Sequence, residues 1–301
     1  MKRILITGAD SYIGTSFDEW LKAYSDVYMV TTVDTMKEWK HEVFEGYDVV
    51  LHVAGIAHSD TSKISEGTRR RYYKVNCDLA LEVAKKAKRE NVSQFIFMSS
   101  ISIYGESFST KKTMITKATD PKPRNCYGRS KLLAEKKLTT LEDHAFKLVI
   151  LRPPMIYGKG CKGNYPLLSK MAKRLPAFPD VENYRSMLHV DNLCEFIRLI
   201  IDNQERGVFF PQNKEYVKTS DMVRLIASVH GKKIFMMPRL NMFIRLLERV
   251  PGRIGRLTNK AFGNMQYDME LSNYKTDYRL RNFVDSIILT EGGVISEEQC
   301  S

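Results

Sequence analysis

Short apolar runs and amphipathic stretches take turns along the first half of the chain. Residues 2–7, 27–33, 48–53, 93–99 and 147–152 are runs of strand length, mostly apolar, as strands covered on both faces are. Between them, residues 12–24, 66–90 and 126–143 place apolar side chains at three- and four-residue steps. In the second stretch the stripe is Tyr73, Leu79, Ala80, Val83, Ala84 and Ala87. Strand, helix and strand in repetition predict an α/β fold, a parallel sheet wound with helices on both faces. After Pro153-Pro154 the pattern loosens into loops and short helices. Residues 153–290 are therefore expected to form mainly a smaller, substrate-binding C-terminal part, with one strand near 207–212, around Val208 to Phe210, returning to the sheet. The segment Met242 to Leu257 is basic and apolar at helical spacing; a core-packing helix is expected, with a substrate cap, a subunit contact and a membrane contact as the alternatives. The polar, glycine-containing residues 291–301 are expected to fray.

The first run breaks at Gly8 and leads through Ser11, Tyr12 and Ile13 to Gly14, at the start of the first helical stretch. Strand, glycine turn and helix are the parts of a phosphate-cradling loop. One glycine makes the turn, a second lets backbone approach a pyrophosphate, and a third lets helix pack on strand. Ser11 stands where the middle glycine belongs, a small residue whose hydroxyl can itself donate to phosphate. The sheet is thus expected to be a Rossmann-type, NAD-binding domain over residues 1–152. An acidic residue about 20 positions past the loop would hold the ribose hydroxyls, and Asp34 follows Gly14 at that distance. NAD is the first choice of cofactor. Thr31 or Thr32 at the ribose, with Lys37 facing a 2'-phosphate, leaves NADP open.

Tyr127 and Lys131 stand four residues apart in a helical stretch, and Ser99-Ser100 ends an apolar run 27 residues before the tyrosine. On one helix face the ammonium is expected to lie beside the phenol and favour its ionised form. Ser100, Tyr127 and Lys131 so arranged can move a proton on or off an alcohol while a nicotinamide takes or gives the hydride.

These pieces occur in a family order. Thr7-Gly8-x-x-Ser11-x-Ile13-Gly14, Asp48 to Gly55, Val75-Asn76, Phe97-Met98-Ser99-Ser100-x-Ser102-x-Tyr104-Gly105, Tyr127-Gly128-x-Ser130-Lys131, Leu151-Arg152-Pro153 and Tyr157-Gly158 resemble the extended short-chain dehydrogenases/reductases. Among these the chain is similar to the nucleotide-sugar epimerases and dehydratases, and most to the UDP-hexose 4-epimerase type. The resemblance implies that His52, Val53, Ala54 and Gly55 lie beside the adenosine half, that Asn76 holds the helix and an active-site water, and that Pro153 walls the nicotinamide pocket. It makes Ser100 the catalytic serine and Arg185 the clamp on the substrate diphosphate, with Lys162 and Asn164 as further substrate contacts. Met155 stands where galactose-type epimerases have an asparagine, so their sugar contacts do not transfer whole. Ile101 and Ser102 replace the Asp-Glu pair of the dehydratases, which argues against dehydration. The activity so implied is that of a C4 epimerase of UDP-glucose or UDP-N-acetylglucosamine type, working through a transient 4-keto sugar in surface polysaccharide biosynthesis. A 4-keto reductase of a UDP-4-keto-6-deoxy-hexosamine is the alternative, and a non-catalytic dinucleotide sensor a weaker one. The resemblance also implies a homodimer through residues 66–90 and 126–143.

Composition narrows the setting. The chain has 301 residues, 43% of them apolar, and a formal net charge of +12. The basic residues are dispersed, with no nucleic-acid module and no aromatics set among them, so nucleic acid is not an expected partner. A basic surface steers anionic nucleotide sugars inward or loosely attracts anionic lipid. No apolar stretch reaches the roughly 20 residues that span a bilayer, so stable membrane insertion is not expected. From the opening residues no signal peptide is expected, and five scattered cysteines (77, 126, 161, 194 and 300) read as reduced thiols. A cytoplasmic enzyme is expected, with no metal.

Overall fold

The computed structural model describes residues 1–57, 65–105, 111–250 and 252–293. In chain order the strands are β1 (Lys2–Thr7), β2 (Tyr28–Val33), β3 (Val49–His52), β4 (Gln94–Met98), β5 (Thr113–Ile115) and β6 (Lys147–Leu151). They continue with β7 (Met155–Tyr157), β8 (Ala177–Pro179), β9 (Met187–His189), β10 (Gly207–Phe209), β11 (Phe235–Met237) and β12 (Met265–Tyr267). The helices are α1 (Tyr12–Leu21), α2 (Glu66–Tyr73), α3 (Leu79–Arg89), α4 (Cys126–Thr139) and α5 (Asn164–Arg174). After them come α6 (Val190–Asp202), α7 (Thr219–Val229), α8 (Asn241–Arg249), α9 (Arg253–Phe262) and α10 (Phe283–Thr290).

Six strands form one parallel sheet in the order β10-β6-β4-β3-β1-β2. Side chains alternate across a strand, and β1 shows the result. Ile4 and Ile6 pack with Phe17 of α1 and Ile197 of α6 on one face, while Leu5 packs with Val83 of α3 and Leu138 of α4 on the other. A sheet covered on both faces explains why its strands read as apolar runs. Helix starts are chemical as well as periodic: the side chains of Ser11, Ser65 and Asn125 cap α1, α2 and α4 by accepting from the backbone N–H three residues on.

Between α2 and α3 the helical path continues through a π-helical segment, Lys74–Asp78. α4 stops at Thr139, short of the expected residue 143, because Asp143 folds the next residues into a turn by accepting from the N–H groups of Ala145 and Phe146.

The remaining strands are three residues long and pair in twos, β7 with β9, β8 with β11 and β5 with β12. With α5, α7, α9 and α10, the pairs β7–β9 and β8–β11 enclose a separate apolar cluster that includes Tyr157, Phe178, Met222 and Ile226, while Ile115, Met265 and Tyr267 of β5–β12 form a small cluster of their own. Two expectations fail here. Glu291 does not fray: its carboxylate accepts from Tyr165, Ser169, Lys173 and His230, so four donors anchor the chain where polarity alone suggested disorder. Residues 294–301 lie outside the described residues. The segment 242–257 is not a core-packing helix either; it is a hairpin of α8 and α9 that keeps most of α8's apolar side chains in solvent. Among the described residues, no helix is long and apolar enough to cross a membrane.

Candidate active site

The loops after β1, β2 and β3 are stitched together at the carboxyl ends of the strands. Gly8 N donates to Val33 O at 2.9 Å, and Thr7 O accepts from the N–H groups of both Val53 and Ala54. β2 lies on one side of β1 and β3 on the other, so this is the crevice where open parallel sheets take ligands. Gly8 has φ +108°, and a Cβ there would stand 2.7 Å from Ala54 N; both conformation and space demand glycine. At Gly14 a Cβ would meet Ser11 Oγ at 2.7 Å and Ile6 Cγ2 at 3.1 Å, so this glycine lets α1 close on β1. Ser11 Oγ accepts from Gly14 N, which leaves its hydroxyl hydrogen free for another acceptor. Tyr12 and Ile13 open α1, and the buried Tyr12 hydroxyl has no partner among the described residues. Burial holds that phenol well above its ordinary pKa.

Asp34 is the first residue past β2; one carboxylate oxygen accepts from Met36 N, and Lys37 stands 3.9 Å from the other. Thr31 and Thr32 sit inside β2 opposite Leu5 and Ile6, short of the strand end. Asp34 is the better placed of the three for a ribose. Together the two space-limited glycines, the open N-terminus of α1 and Asp34 fit a dinucleotide along this edge.

The serine pair divides its work. Ser99 is buried, and its hydroxyl bonds to Glu135, whose carboxylate is also gripped by Arg152 through Nη2 at 2.6 Å and Nε at 3.2 Å. Arg152 Nη1 reaches the Tyr104 hydroxyl at 2.7 Å, so Ser99 belongs to the support beneath the site. Ser100 caps the short 3₁₀ turn Ile101–Tyr104, and its oxygen accepts from Ser102 N. It also lies beside the Tyr127 phenol and favours its ionised form. Pro153 O accepts from Ile101 N, which puts Pro153 against the same turn.

The expected depression of the Tyr127 phenol by Lys131 is absent. Burial raises its pKa, opposed by the hydrogen bond with Ser100 and reinforced by Tyr72. Lys131 is turned elsewhere: Nζ donates to Met98 O at 2.7 Å and lies 4.6 Å from the Phe97 ring centroid. Burial lowers the ammonium to about 8, against the pull of Glu135. A shared helix face therefore does not make an ion contact; the long lysine stem carries its charge past the phenol to the end of β4. Gly55 makes room for it, since a Cβ there would be 3.3 Å from Nζ and 3.0 Å from Asn76 Oδ1. Asn76 clamps this floor. Its amide bonds Ile56 N and O, and also the Ser130 hydroxyl, which donates to Tyr127 O. His52 lies under the floor rather than in the cleft: Nδ1 pairs with the Thr7 hydroxyl at 2.8 Å, and the ring stacks with Phe95 and Phe97. Burial and Lys131 lower it to about 3, so it is neutral.

In the C-terminal part, Arg185 Nη1 donates to the carbonyls of Lys260 (2.7 Å) and Ala261 (3.1 Å) at the end of α9. Asn164, first residue of α5, reaches the same Lys260 carbonyl at 3.4 Å. Lys162 is exposed two residues before it. Desolvation holds the Arg185 guanidinium down to about 10, and no carboxylate among the described residues pairs with it. A cation met only by carbonyls retains attraction for an added anion. Met155 lies on β7, opposite Met187 of β9.

Sequence reasoning passed over Tyr72, Glu135 and Arg152. Glu135 left a signal, four residues after Lys131 on the same helix face. Tyr72 left none beyond a buried aromatic on an otherwise charged helix. Among the described residues no group of three His, Cys, Asp or Glu side chains could hold a metal.

A parallel sheet with a glycine turn at its switch point and a Ser-Tyr-Lys set at the ends of β4 and α4 defines a dinucleotide-dependent enzyme of the short-chain type. Residues 4–210 match the model of the NAD dependent epimerase/dehydratase family, and the chain belongs to that family. It is an enzyme of the NAD-dependent epimerase class or a related oxidoreductase, with NAD or NADP as its dinucleotide. The chain is 29% identical to a UDP-glucose 4-epimerase of Vibrio cholerae over 290 residues, covering 89% of this chain and 88% of the relative. It is 28% identical over 251 residues to an N-acetyl-alpha-D-glucosaminyl-diphospho-ditrans,octacis-undecaprenol 4-epimerase of Escherichia coli O157:H7, covering 77% and 73%. In fold it is similar to the UDP-glucuronic acid 4-epimerase of Bacillus cereus solved with NAD (TM-score 0.70, 18% identity, 97% of each chain). It is also similar to a dTDP-4-dehydrorhamnose reductase of Clostridium acetobutylicum (TM-score 0.72, 19% identity, 95% and 96%).

Proposed function

We propose that the protein is a C4 epimerase of a diphosphate-linked hexose, of the UDP-glucose or UDP-N-acetylglucosamine type, serving surface polysaccharide synthesis. The observation that carries this reading is that Ser100, just past β4, and Tyr127, at the start of α4, stand close enough for the serine to favour the phenolate, with Lys131 four residues further along the same helix. NAD, when bound, would supply a reversible hydride acceptor for C4 of the sugar. Tyr127 takes the C4 hydroxyl proton, directly or through Ser100, and gives it back after the 4-keto sugar has turned over. Ser100 donates to the sugar oxygen on which charge develops. Lys131 and Asp34 hold the two riboses of the dinucleotide, and Gly8, Ser11 and Gly14 admit its pyrophosphate. Arg185 clamps the substrate diphosphate, with Asn164 and Lys162 at its edge. The Vibrio cholerae and Escherichia coli relatives are both 4-epimerases, one of a nucleotide sugar and one of a lipid-diphosphate sugar, which supports the reaction more firmly than the carrier. Ser102, bound to Ser100, occupies the place of a dehydratase acid, which speaks against water elimination. A homodimer through α2, α3 and α4 and a cytoplasmic setting belong to the same reading.

The test is incubation of the purified protein with UDP-glucose or UDP-N-acetylglucosamine without added nicotinamide, following isomers by proton NMR. Isomer formation is expected. Tyr127→Phe should lower kcat by about 10²–10⁴-fold, the range for loss of a positioned acid or base, with NAD still bound. Turnover only of a 4-keto sugar, and only with added NAD(P)H, would replace the epimerase with a reductase.

A further inference from the structure

Helix α8 is amphipathic in the inverted sense. At about 100° per residue, Met242, Phe243, Leu246, Leu247 and Val250 fall on one arc roughly 140° wide, with Ile244 and Glu248 opposite. It is Ile244 and Glu248 that are buried against the protein, while Met242, Phe243 and Leu246 are 64%, 57% and 55% exposed. The hairpin is built to hold this face out. Gly255 of α9 packs so close to the end of α8 that a Cβ would stand 2.1 Å from Val250 O, and just before it Ile254 extends the ridge, 54% exposed. Just before α8 in the chain, Phe235 of β11 is 72% exposed. Scattered exposed apolar residues are ordinary, but a continuous ridge along one helix marks an interaction surface.

We propose that the α8–α9 hairpin docks the protein on an anionic phospholipid bilayer, with the apolar arc of α8 among the acyl chains and Arg245 and Arg249 on the phosphates.

Charge selects this occupant. Arg245 and Arg249 follow one flank of the arc, Arg239 precedes the helix, and none of the three has a carboxylate partner among the described residues. Exposed Lys232 and Lys233 lie beside β11, on a chain of net charge +12. Across a two-fold axis a second copy would bring these cations face to face, a repulsive pairing. An anionic interface satisfies both halves of the surface, since aliphatic stems and apolar side chains sink while guanidinium groups rest at headgroup level. Nine residues of α8 span about 14 Å, too short to cross a bilayer, so the helix lies in the interface plane. The same hairpin carries Lys260 and Ala261, whose carbonyls hold Arg185.

The test is co-sedimentation of the full chain with phosphatidylcholine vesicles with and without phosphatidylglycerol, at low and high salt. Binding to the phosphatidylglycerol vesicles is expected, with weaker binding to phosphatidylcholine alone and release as salt rises. Phe243→Glu with Leu246→Glu should abolish binding. Arg245→Gln and Arg249→Gln should each lower the partition coefficient about fivefold on anionic vesicles only. Because all four side chains point into solvent, melting temperature and turnover of a soluble substrate should not move. If the unmodified chain ignores anionic vesicles at low salt, the proposal falls. It also falls if Phe243→Glu with Leu246→Glu converts a dimer to a monomer by light scattering, which would show a second copy on this face. Both readouts are independent of which sugar the enzyme takes.

Discussion

The floor of the sheet and the C-terminal part each hold a desolvated cation, and they differ in what surrounds it. Lys131 shares its helix with Glu135, yet that carboxylate is committed to Arg152 and Ser99, and the ammonium keeps only a backbone carbonyl. Arg185 likewise faces only the carbonyls at the end of α9. Arg152 is the contrasting case, a cation closed off by a bidentate carboxylate. Burial by itself would lower it, but Glu135 reverses the sign and its pKa rises, while those of Lys131 and Arg185 fall. A cation that serves the fold is neutralised from within the chain. Under the proposed function, one that serves a ligand is left short of charge at the place the ligand's anion would fill.

The comparison breaks most visibly at the internal pair. Arg152→Leu strips Glu135 of its partner and leaves a carboxylate nearly buried beneath Ser99. Loss of one member of a buried pair costs about 3–5 kcal/mol, so urea unfolding should show destabilisation of that order. Restoring neutrality with Glu135→Gln in the Arg152→Leu background should recover a large part of it. If Arg152→Leu leaves stability unchanged, the pair is not the support described.

Arg185→Gln should behave in the opposite manner. No carboxylate is orphaned, so stability should change little, whereas a charge-assisted hydrogen bond worth about 1.5–3 kcal/mol is lost to the ligand. KM for the diphosphate sugar should rise about 10–100-fold, with NAD affinity untouched. Arg185→Lys should recover little, because one ammonium cannot span two oxygens as the planar fork does. Equal losses in NAD and sugar binding would place Arg185 outside the phosphate pocket.

These two cations also mark how far the sequence could be read. Around Lys131 everything needed is local and periodic. β1 to β4, the glycine turn and α4 are runs whose spacing names their faces, so the sheet, Gly8, Gly14, Ser100, Tyr127 and Lys131 can be placed from order alone. Only the direction of the Lys131 stem escaped, since a shared face fixes where a side chain starts and not where its tip ends. Around Arg185 the partners come from about 75 residues further along the chain, at Lys260 and Ala261. Its lobe is held by three-residue strands and by buried amides such as Gln212 and Asn213, which bond Ser186, Ser272, Tyr157 and Asn192 across long separations. Such a network has no period to detect. The inverted α8 misled for a different reason: hydrophobic spacing tells that a face is apolar, not whether the protein itself will cover it.

The finest test of the comparison uses pH on the free enzyme. The folded-state ammonium of Lys131 is lowered to about 8, whereas the unfolded chain keeps a lysine near its ordinary 10.5. Below about 8 both states carry the proton, and the folded state bears the full cost of desolvating it. As pH rises from about 8 toward 10.5 the folded protein has shed the proton and the unfolded chain still holds it, so folding gains stability through this window. Buried Cys161 and Cys194, with raised thiol pKa values, oppose the trend above about 9, so the quantity to measure is a difference between two proteins. Relative to Lys131→Met, the unmodified enzyme should become more stable from pH 7.5 to 9.5 in urea titrations. Its NAD affinity, followed by calorimetry, should weaken over the same interval as the ammonium is lost, while that of Lys131→Met stays flat. A structural lysine would move the first readout alone. Opposite signs in one pH window are what a cation reserved for the cofactor requires, and parallel curves in both assays would remove Lys131 from that role.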